Sequence, residues 1–267
     1  MAGNMGKGCS CVCLMAEKAE AKVIPVDVGM NCCGEIPGVI PEKVSMGTKN
    51  FLREPAMSRE QTVMAMEAGI RIAEGLKSRG YNLAGSGEMG IGNTTTSSAV
   101  LSVLLDQDPG QVTGRGAGLT AEGYKRKIRV IKDGIALHRP DREDPVDVLS
   151  KVGGLDLAAL AGFYIGCGAV GLPVVIDGLI TGAAALAAVG ICPPVKDYLL
   201  ASHISAEPAG AMVLKALGLK PAIQAGMCLG EGTGAAALFP LLDMAAVVYD
   251  RMSSFEEIHV EQYEHLK

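Results

Sequence analysis

Residues 81–105 read YNLAGSGEMGIGNTTTSSAVLSVLL. The stretch begins with a short apolar segment, passes through a glycine-rich loop over 85–92 and continues into a helix that we predict over 93–105. The loop contains the pattern G-x-G-x-x-G at 85–90, and it lies between a strand and a helix as phosphate-binding loops do. One such match is weak, because an ordinary glycine turn before a helix would give the same pattern as a phosphate cradle.

Short apolar runs alternate with helical patterns along the rest of the chain. The apolar runs predict strands over 22–29, 81–84, 111–113, 173–176 and 199–202, with a loop over 30–50 and extended backbone over 221–226. Apolar periodicity and capping residues predict helices over 58–80, 120–138, 159–167, 180–189, 209–217 and 234–252, and a short helix that begins at Asp144-Pro145. Unbroken apolar strands separated by helices are typical of a parallel sheet covered on both faces. We therefore predict an α/β fold with a Rossmann-like parallel sheet, whose ligands bind beyond the carboxyl ends of the strands.

The composition narrows the class of protein. The 267 residues carry a net charge of −5, are 49% apolar and 20% charged, and include 35 glycines without a fixed period. This apolar content is enough to bury a sizeable core, which excludes disorder. The absence of a glycine period excludes collagen-like structure. The basic residues are spread along the chain, which argues against nucleic acid as a partner.

Two uncharged runs, 157–176 and 178–195, are long enough to cross a membrane. Glycine and proline interrupt the first run, and alanine and glycine dominate the second. Neither run has the flanking aromatic or basic residues that mark a membrane interface. We therefore expect buried strands and helices, and no membrane partner.

The eight cysteines favour a reducing compartment. The sequence shows no charged-then-apolar leader and no Cys-x-x-Cys spacing, and its four histidines lie far from the cysteines. The cluster of Cys9, Cys11 and Cys13 is more typical of ordinary thiols than of a metal site. We therefore expect a cytoplasmic protein without a bound metal.

A second glycine loop, GEGTG at 230–234, also lies between an extended segment and an apolar helix. Its glycines present Glu231 on bare backbone, and a carboxylate that loses hydration in such a crevice is suited to act as a general base. A solvated loop glutamate would give the same pattern. The stretch SHISAE at 202–207 does not predict a catalytic triad, because triads are assembled from distant segments. The basic stretch KRKIR at 125–129 fits a solvated helix face, from which one side chain could reach a phosphate.

Five longer motifs extend along essentially the whole chain: GEMGIGNTTT at 87–96, VTGRGAG at 112–118, VVIDG at 174–178, SHISAE at 202–207 and LGEGTG at 229–234. In sequence and in order they resemble the nicotinate-nucleotide:dimethylbenzimidazole phosphoribosyltransferase family. The resemblance implies that nicotinate mononucleotide reacts with 5,6-dimethylbenzimidazole to give α-ribazole 5′-phosphate and nicotinate, with inversion at C1′ of the ribose.

The resemblance also implies roles for residues at the matching positions. Glu231 corresponds to the general base that removes the benzimidazole proton, and Glu88 corresponds to a second catalytic glutamate. The implied substrate-binding residues of the glycine loops are Gly87, Gly90, Gly92, Asn93, Thr94 and Leu229. The implied phosphate partners outside these loops are Lys127 and Ser205. The resemblance further implies small-molecule substrates, no cofactor and a homodimer.

By the same resemblance, residues 1–267 form one catalytic domain, with an α/β core over about 20–235. Segments 1–19 and 236–267 would contribute to a small helical subdomain. Two family motifs, Pro-Pro-Gly-Ser-Leu-Gly and Gly-Asp-His-Gly, are absent, so we expect this subdomain and the benzimidazole pocket to be incomplete. The main alternative is an inactive nucleotide-binding remnant without an acceptor pocket; a dehydrogenase would rest on the glycine fingerprint alone.

Overall fold

The computed structural model describes residues 1–116 and 118–261 and has the α/β architecture that the sequence predicts. Its short strands are β1 (Val26–Asp27), β2 (Ile40–Pro41), β3 (Ala84–Gly85), β4 (Val174–Ile176) and β5 (Leu199–Ala201). All pairings are parallel: β1 pairs with β2, and the larger sheet has the order β3-β4-β5. The central strand of the larger sheet is therefore β4.

Helices make up most of the remainder. Within the described residues they are α1 (Ala2–Gly6), α2 (Cys11–Lys18), α3 (Arg59–Ser78), α4 (Thr94–Leu104), α5 (Pro109–Val112), α6 (Ala121–His138), α7 (Pro145–Val152), α8 (Leu155–Ala169), α9 (Leu179–Ile191), α10 (Gly210–Leu217) and α11 (Thr233–Arg251), with a 3-10 helix at Pro193–Tyr198. Two predicted caps are confirmed: Ser58 and Gln61 form a capping box at the start of α3, and Asp144 caps α7 ahead of its proline. In addition, Thr120 caps α6.

Both faces of the sheet are covered, as predicted. Successive side chains of a strand point to opposite faces. In β4, Val175 packs with Ala235 and Leu238 of α11, whereas Val174 and Ile176 belong to the main core with α8 and α9. All three β4 residues are buried, which explains the unbroken apolar run in the sequence.

The glycines of the run 157–176 serve helix packing. A Cβ at Gly162 of α8 would overlap the backbone of Met66 in α3, and a Cβ at Gly69 of α3 would overlap the backbone of Ala159 in α8. The two helices therefore pack backbone against backbone. The apolar run is accounted for by this buried contact and by β4.

Two local predictions are wrong. Residues 111–113 were expected to form a strand, but 111 and 112 belong to α5, because Asp108 accepts a hydrogen bond from the Gly110 N–H and Pro109 occupies the first helical turn. The expected strand over 22–29 is limited to β1, and its partner β2 lies inside the segment 30–50 that was predicted as loop. These two strands form a separate small sheet.

The N-terminal helices pack against the start of α11. Val12 and Cys13 of α2 are buried with Ala236 of α11. Further along, residues 243–251 of α11 are exposed on all sides, and the exposed apolar side chains of this part of the helix are Leu241, Met244, Val247, Val248 and Tyr249. Within the described residues, α11 is the helix whose length and hydropathy would also suit a membrane span.

Candidate active site

The two glycine loops meet at the carboxyl ends of β3 and β4. Gly87, in the loop after β3, lies so close to the second loop that a Cβ there would come within 2.6 Å of the Glu231 carbonyl oxygen and of Gly232 Cα. A residue with a Cβ would have to displace backbone. The loops predicted separately from the sequence therefore form one site.

Asp177 anchors the second loop and the start of α11. It directly follows β4, and its Oδ2 accepts a hydrogen bond from the Gly232 N–H at 3.1 Å, while Oδ1 accepts one from the Gly234 N–H at 2.7 Å. Backbone N–H groups at a helix N-terminus lack acceptors within the helix, and the helix dipole favours a carboxylate there. Burial raises the pKa of Asp177, and these hydrogen bonds oppose that rise.

Glu231 is held where the loops meet. Its φ of 62° lies in the left-handed region, which is uncommon for a residue other than glycine. Its N–H donates to the Glu88 carbonyl oxygen at 2.8 Å. Its Oε2 is buried and has no hydrogen-bond partner among the described residues. A buried carboxylate oxygen in this state is an acceptor for a group that a bound molecule would bring.

A second acidic group lies on the first loop. Asn93 Nδ2 donates to Asp156 Oδ2 at 2.6 Å, and the Gly90 N–H donates to Glu88 Oε2. Burial and then the charge of Asp156 raise the pKa of Glu88, against hydrogen bonds from Gly90 and Asn93. Burial also raises the pKa of Asp156. Shifted carboxyl groups grouped in this way are typical of functional sites.

Glu88, Asn93 and Asp156 border a cleft of about 1350 Å³. Its polar end is formed by loop residues and carboxylates: Gly87, Glu88, Gly92, Asn93, Asp156 and Glu231. Its apolar walls come from α3, α8, α11 and the segment before β1, and include Ile24, Ile72, Leu160, Phe163 and Phe239. Ligand pockets usually measure about 300–1,000 Å³. The cleft therefore has room for two small molecules at once.

The remaining predicted substrate-binding residues do not line this cleft: Gly90, Thr94, Lys127, Ser205 and Leu229. Lys127 and Thr94 form a cluster of their own, in which Lys127 Nζ donates to Thr94 Oγ1 at 2.9 Å and to the Gly114 carbonyl oxygen at 3.0 Å. Burial lowers the pKa of Lys127, and the charge of Glu207 opposes that change. Because Thr94 begins α4, the ammonium lies at the N-terminus of that helix.

The other three form no hydrogen bond with Lys127 within the described residues. Ser205 borders a small separate cavity together with Asp177 and His203. Leu229 is 56% exposed. Gly90 has a φ of 74°, so it supplies the left-handed turn of the first loop.

Ser202 and His203 do not form a nucleophilic site. Ser202 Oγ lies 2.9 Å from His203 Nδ1, but Ser202 is fully buried and its hydroxyl also lies within hydrogen-bond distance of the carbonyl oxygens of Ile176 and Asp177. Burial lowers the pKa of His203, against the charge of Asp177. A hydroxyl enclosed in this way tethers two strands.

Two residues of the site were not predicted from the sequence. Asp177 follows an unbroken apolar strand, and its place at a carboxyl strand end was the available signal. Asp156 lies 63 positions from Asn93, and no local pattern marks it. Within residues 1–116 and 118–261, no group of three His, Cys, Asp or Glu side chains is arranged to hold a metal ion. All eight cysteines are free thiols.

The fold and the site together define an α/β enzyme that binds small molecules beyond the ends of a parallel sheet. A sequence profile described as phosphoribosyltransferase matches residues 1–260. The chain belongs to this phosphoribosyltransferase family.

Named relatives agree with this assignment. The nicotinate-nucleotide–dimethylbenzimidazole phosphoribosyltransferase of Ruminiclostridium cellulolyticum is 46% identical over 264 residues, which cover 99% of this chain and 75% of the relative. The enzyme of the same name from Acetivibrio thermocellus is 47% identical over 261 residues, which cover 98% and 74%. The crystal structure of CobT from Thermus thermophilus matches with a TM-score of 0.93 at 38% identity, covering 98% of this chain and 79% of that one. The resemblance found in the motifs and the predicted α/β fold are both confirmed.

Proposed function

We propose that this chain transfers the phosphoribosyl group of nicotinate mononucleotide to 5,6-dimethylbenzimidazole, giving α-ribazole 5′-phosphate and nicotinate with inversion at C1′. Relatives up to 47% identical carry the name of this activity, and nothing in the comparisons supports an inactive remnant. The observation that carries the proposal is the buried Oε2 of Glu231, which has no hydrogen-bond partner in the described part of the chain. It lies at the polar end of a cleft with room for a nucleotide and a base together.

Glu231 acts as the general base. It accepts the N–H proton of the benzimidazole while the lone pair of the other ring nitrogen forms a bond to C1′ of the ribose. The bond from C1′ to the pyridinium nitrogen breaks, and its electron pair stays on that nitrogen. Nicotinate therefore leaves with a neutral ring nitrogen, and this chemistry requires neither a cofactor nor a metal. Attack opposite to the leaving group inverts C1′ from β to α.

Glu88 is the second catalytic residue and lies beside the ribose and the cationic ring. Gly87, Gly92 and Asn93 line the same end of the cleft, which supports this placement. The proximity of the two acidic residues is supported by the hydrogen bond from the Glu231 N–H to the Glu88 carbonyl oxygen.

The substrate phosphate binds at the N-terminus of α4. Gly90, Gly92, Asn93 and Thr94 form its loop, and Lys127 supplies the positive charge. The buried ammonium beside Thr94 supports this site, because helix N-termini and ammonium groups both favour a phosphate. Ser205 is the second phosphate partner, and Leu229 makes a further substrate contact.

We also propose that the chain is a cytoplasmic homodimer with a small helical subdomain. The contacts of α2 with α11 support a subdomain made from segments 1–19 and 236–267, of which 262–267 lie outside the described residues. The exposed apolar side chains in the second half of α11, such as Met244 and Val248, support burial against a second copy. Analytical ultracentrifugation should give twice the chain mass, and Val248→Glu should give the mass of one chain. A wild-type chain that sediments as a monomer would contradict the dimer.

The activity is tested by incubating the purified chain with nicotinate mononucleotide and 5,6-dimethylbenzimidazole. We expect α-ribazole 5′-phosphate and nicotinate in equal amounts by chromatography. A reaction without the base is the control, because nicotinate released there reports hydrolysis. Nicotinate that forms equally with and without the base, and no α-ribazole 5′-phosphate, would refute transfer.

A further inference from the structure

Lys127 carries a buried charge whose hydrogen-bonding capacity is incompletely used. The residue is only 6% exposed, and its ammonium has three donors. Two of them reach neutral acceptors, Thr94 Oγ1 and the Gly114 carbonyl oxygen. In the part of the chain that the structure describes, no carboxylate forms an ion pair with Nζ and no third acceptor is present. Buried cations are normally paired, so this one indicates a site for an anion.

Glu207 is the residue whose negative charge acts on Lys127. Its carboxylate packs directly on Gly114, where a Cβ would overlap Oε2. Gly114 is also the residue whose carbonyl oxygen binds Lys127 Nζ. The Glu207 N–H donates to Ser205 Oγ at 3.3 Å. The Glu207 carboxylate therefore lies on the same glycine as the ammonium, in the loop that carries the other implied phosphate partner.

We propose that the Glu207 carboxylate competes with the substrate's phosphate group for Lys127 and thereby weakens phosphate binding. This inference rests on the proposed function, since it takes Lys127 as the phosphate partner. In the free protein Glu207 offsets part of the buried positive charge. A phosphate that binds Lys127 must overcome repulsion by this carboxylate or displace it, and the Glu207 side chain is only half-buried. Substrate and product carry the same phosphate, so Glu207 also promotes release of the product.

The test is calorimetric titration of inorganic phosphate into the full chain. Glu207→Gln keeps the size of the side chain and removes its charge, so we expect phosphate to bind about tenfold more tightly, the gain from removing one partly screened like charge. Glu207→Ala should also tighten phosphate binding. The KM for nicotinate mononucleotide should fall in parallel, and inhibition by α-ribazole 5′-phosphate should strengthen. A merely structural role would weaken binding instead.

Two controls locate the effect. Glu122→Gln removes the same charge from an exposed position on α6, the helix of Lys127, and should leave phosphate affinity within twofold. Adding Lys127→Met to Glu207→Gln should abolish the gain. Unchanged or weaker phosphate binding in both Glu207 variants would overturn the inference, as would a gain that survives loss of Lys127. Product formation by the wild-type chain is measured separately. Tighter phosphate binding without any transfer would refute only the proposed function, and transfer without tighter binding only this inference.

Discussion

Gly87→Ala should separate the two glycine loops without removing any chemical group. The added Cβ would lie 2.6 Å from the Glu231 carbonyl oxygen, whereas ordinary Cβ contacts begin at about 3.4 Å. The loop that carries Glu231 must therefore retreat by about 0.8 Å, the difference between these distances. A misplacement of about 1 Å in a catalytic group costs on the order of 10²-fold in rate. We expect kcat/KM to fall by about that factor.

The assay is steady-state formation of α-ribazole 5′-phosphate, with thermal unfolding measured beside it. Gly75→Ala is the matched control, because Gly75 lies in α3 and a Cβ there meets nothing within 4 Å. Alanine is a better helix former than glycine by about 1 kcal/mol, so this control should keep its activity and unfold at a slightly higher temperature. A folded Gly87→Ala enzyme with kcat/KM within threefold of wild type would refute the coupling of the two loops.

Three further predictions concern the charged groups of the site. Lys127→Met should raise the KM for nicotinate mononucleotide by about 10- to 100-fold, the value of a hydrogen bond to a charged group, with a much smaller change in kcat; a larger effect on kcat than on KM would contradict the phosphate role. Asp177→Ala should lower the free energy of unfolding by about 2 kcal/mol in urea, because two N–H groups at the start of α11 lose their acceptor, and Asp177→Asn, which keeps one acceptor, should lose less; equal losses would contradict the anchoring. Burial raises the pKa of Asp156 above its ordinary 3.8. The folded chain therefore binds more protons than the unfolded chain as pH rises from that value, and the free energy of unfolding falls over this window. Asp156→Asn should make this fall shallower, and an unchanged pH profile in that variant would contradict the buried position of the charge.

The local features of the fold could be predicted from the sequence. Capping residues such as Ser58 and Asp144 form hydrogen bonds with neighbours two or three positions away, so their pattern is visible in a few letters. The apolar run of β4 and the two glycine loops are equally local. The prediction at 111–113 failed because the helix-starting pair Asp108-Pro109 overrides the strand preference of the following residues.

The contacts that assemble the site from distant segments of the chain could not be predicted in the same way. The Gly234 N–H lies 57 positions from Asp177, and Asn93 lies 63 positions from Asp156. These contacts depend on the strand order β3-β4-β5 and on the packing of α11 on β4, which no local pattern specifies. The roles proposed for Glu88 and Glu231 come from motif resemblance, whereas the contact of their backbones required the structure.

The most direct test of the central claim compares Glu231→Gln with the wild-type chain. The substitution keeps the shape of the side chain and removes its ability to accept the proton. We expect nicotinate mononucleotide to bind nearly as before in calorimetry, while kcat for α-ribazole 5′-phosphate falls by roughly 10²-fold or more, as for loss of a general base. Wild-type turnover in this variant would contradict the assignment of Glu231 as the base.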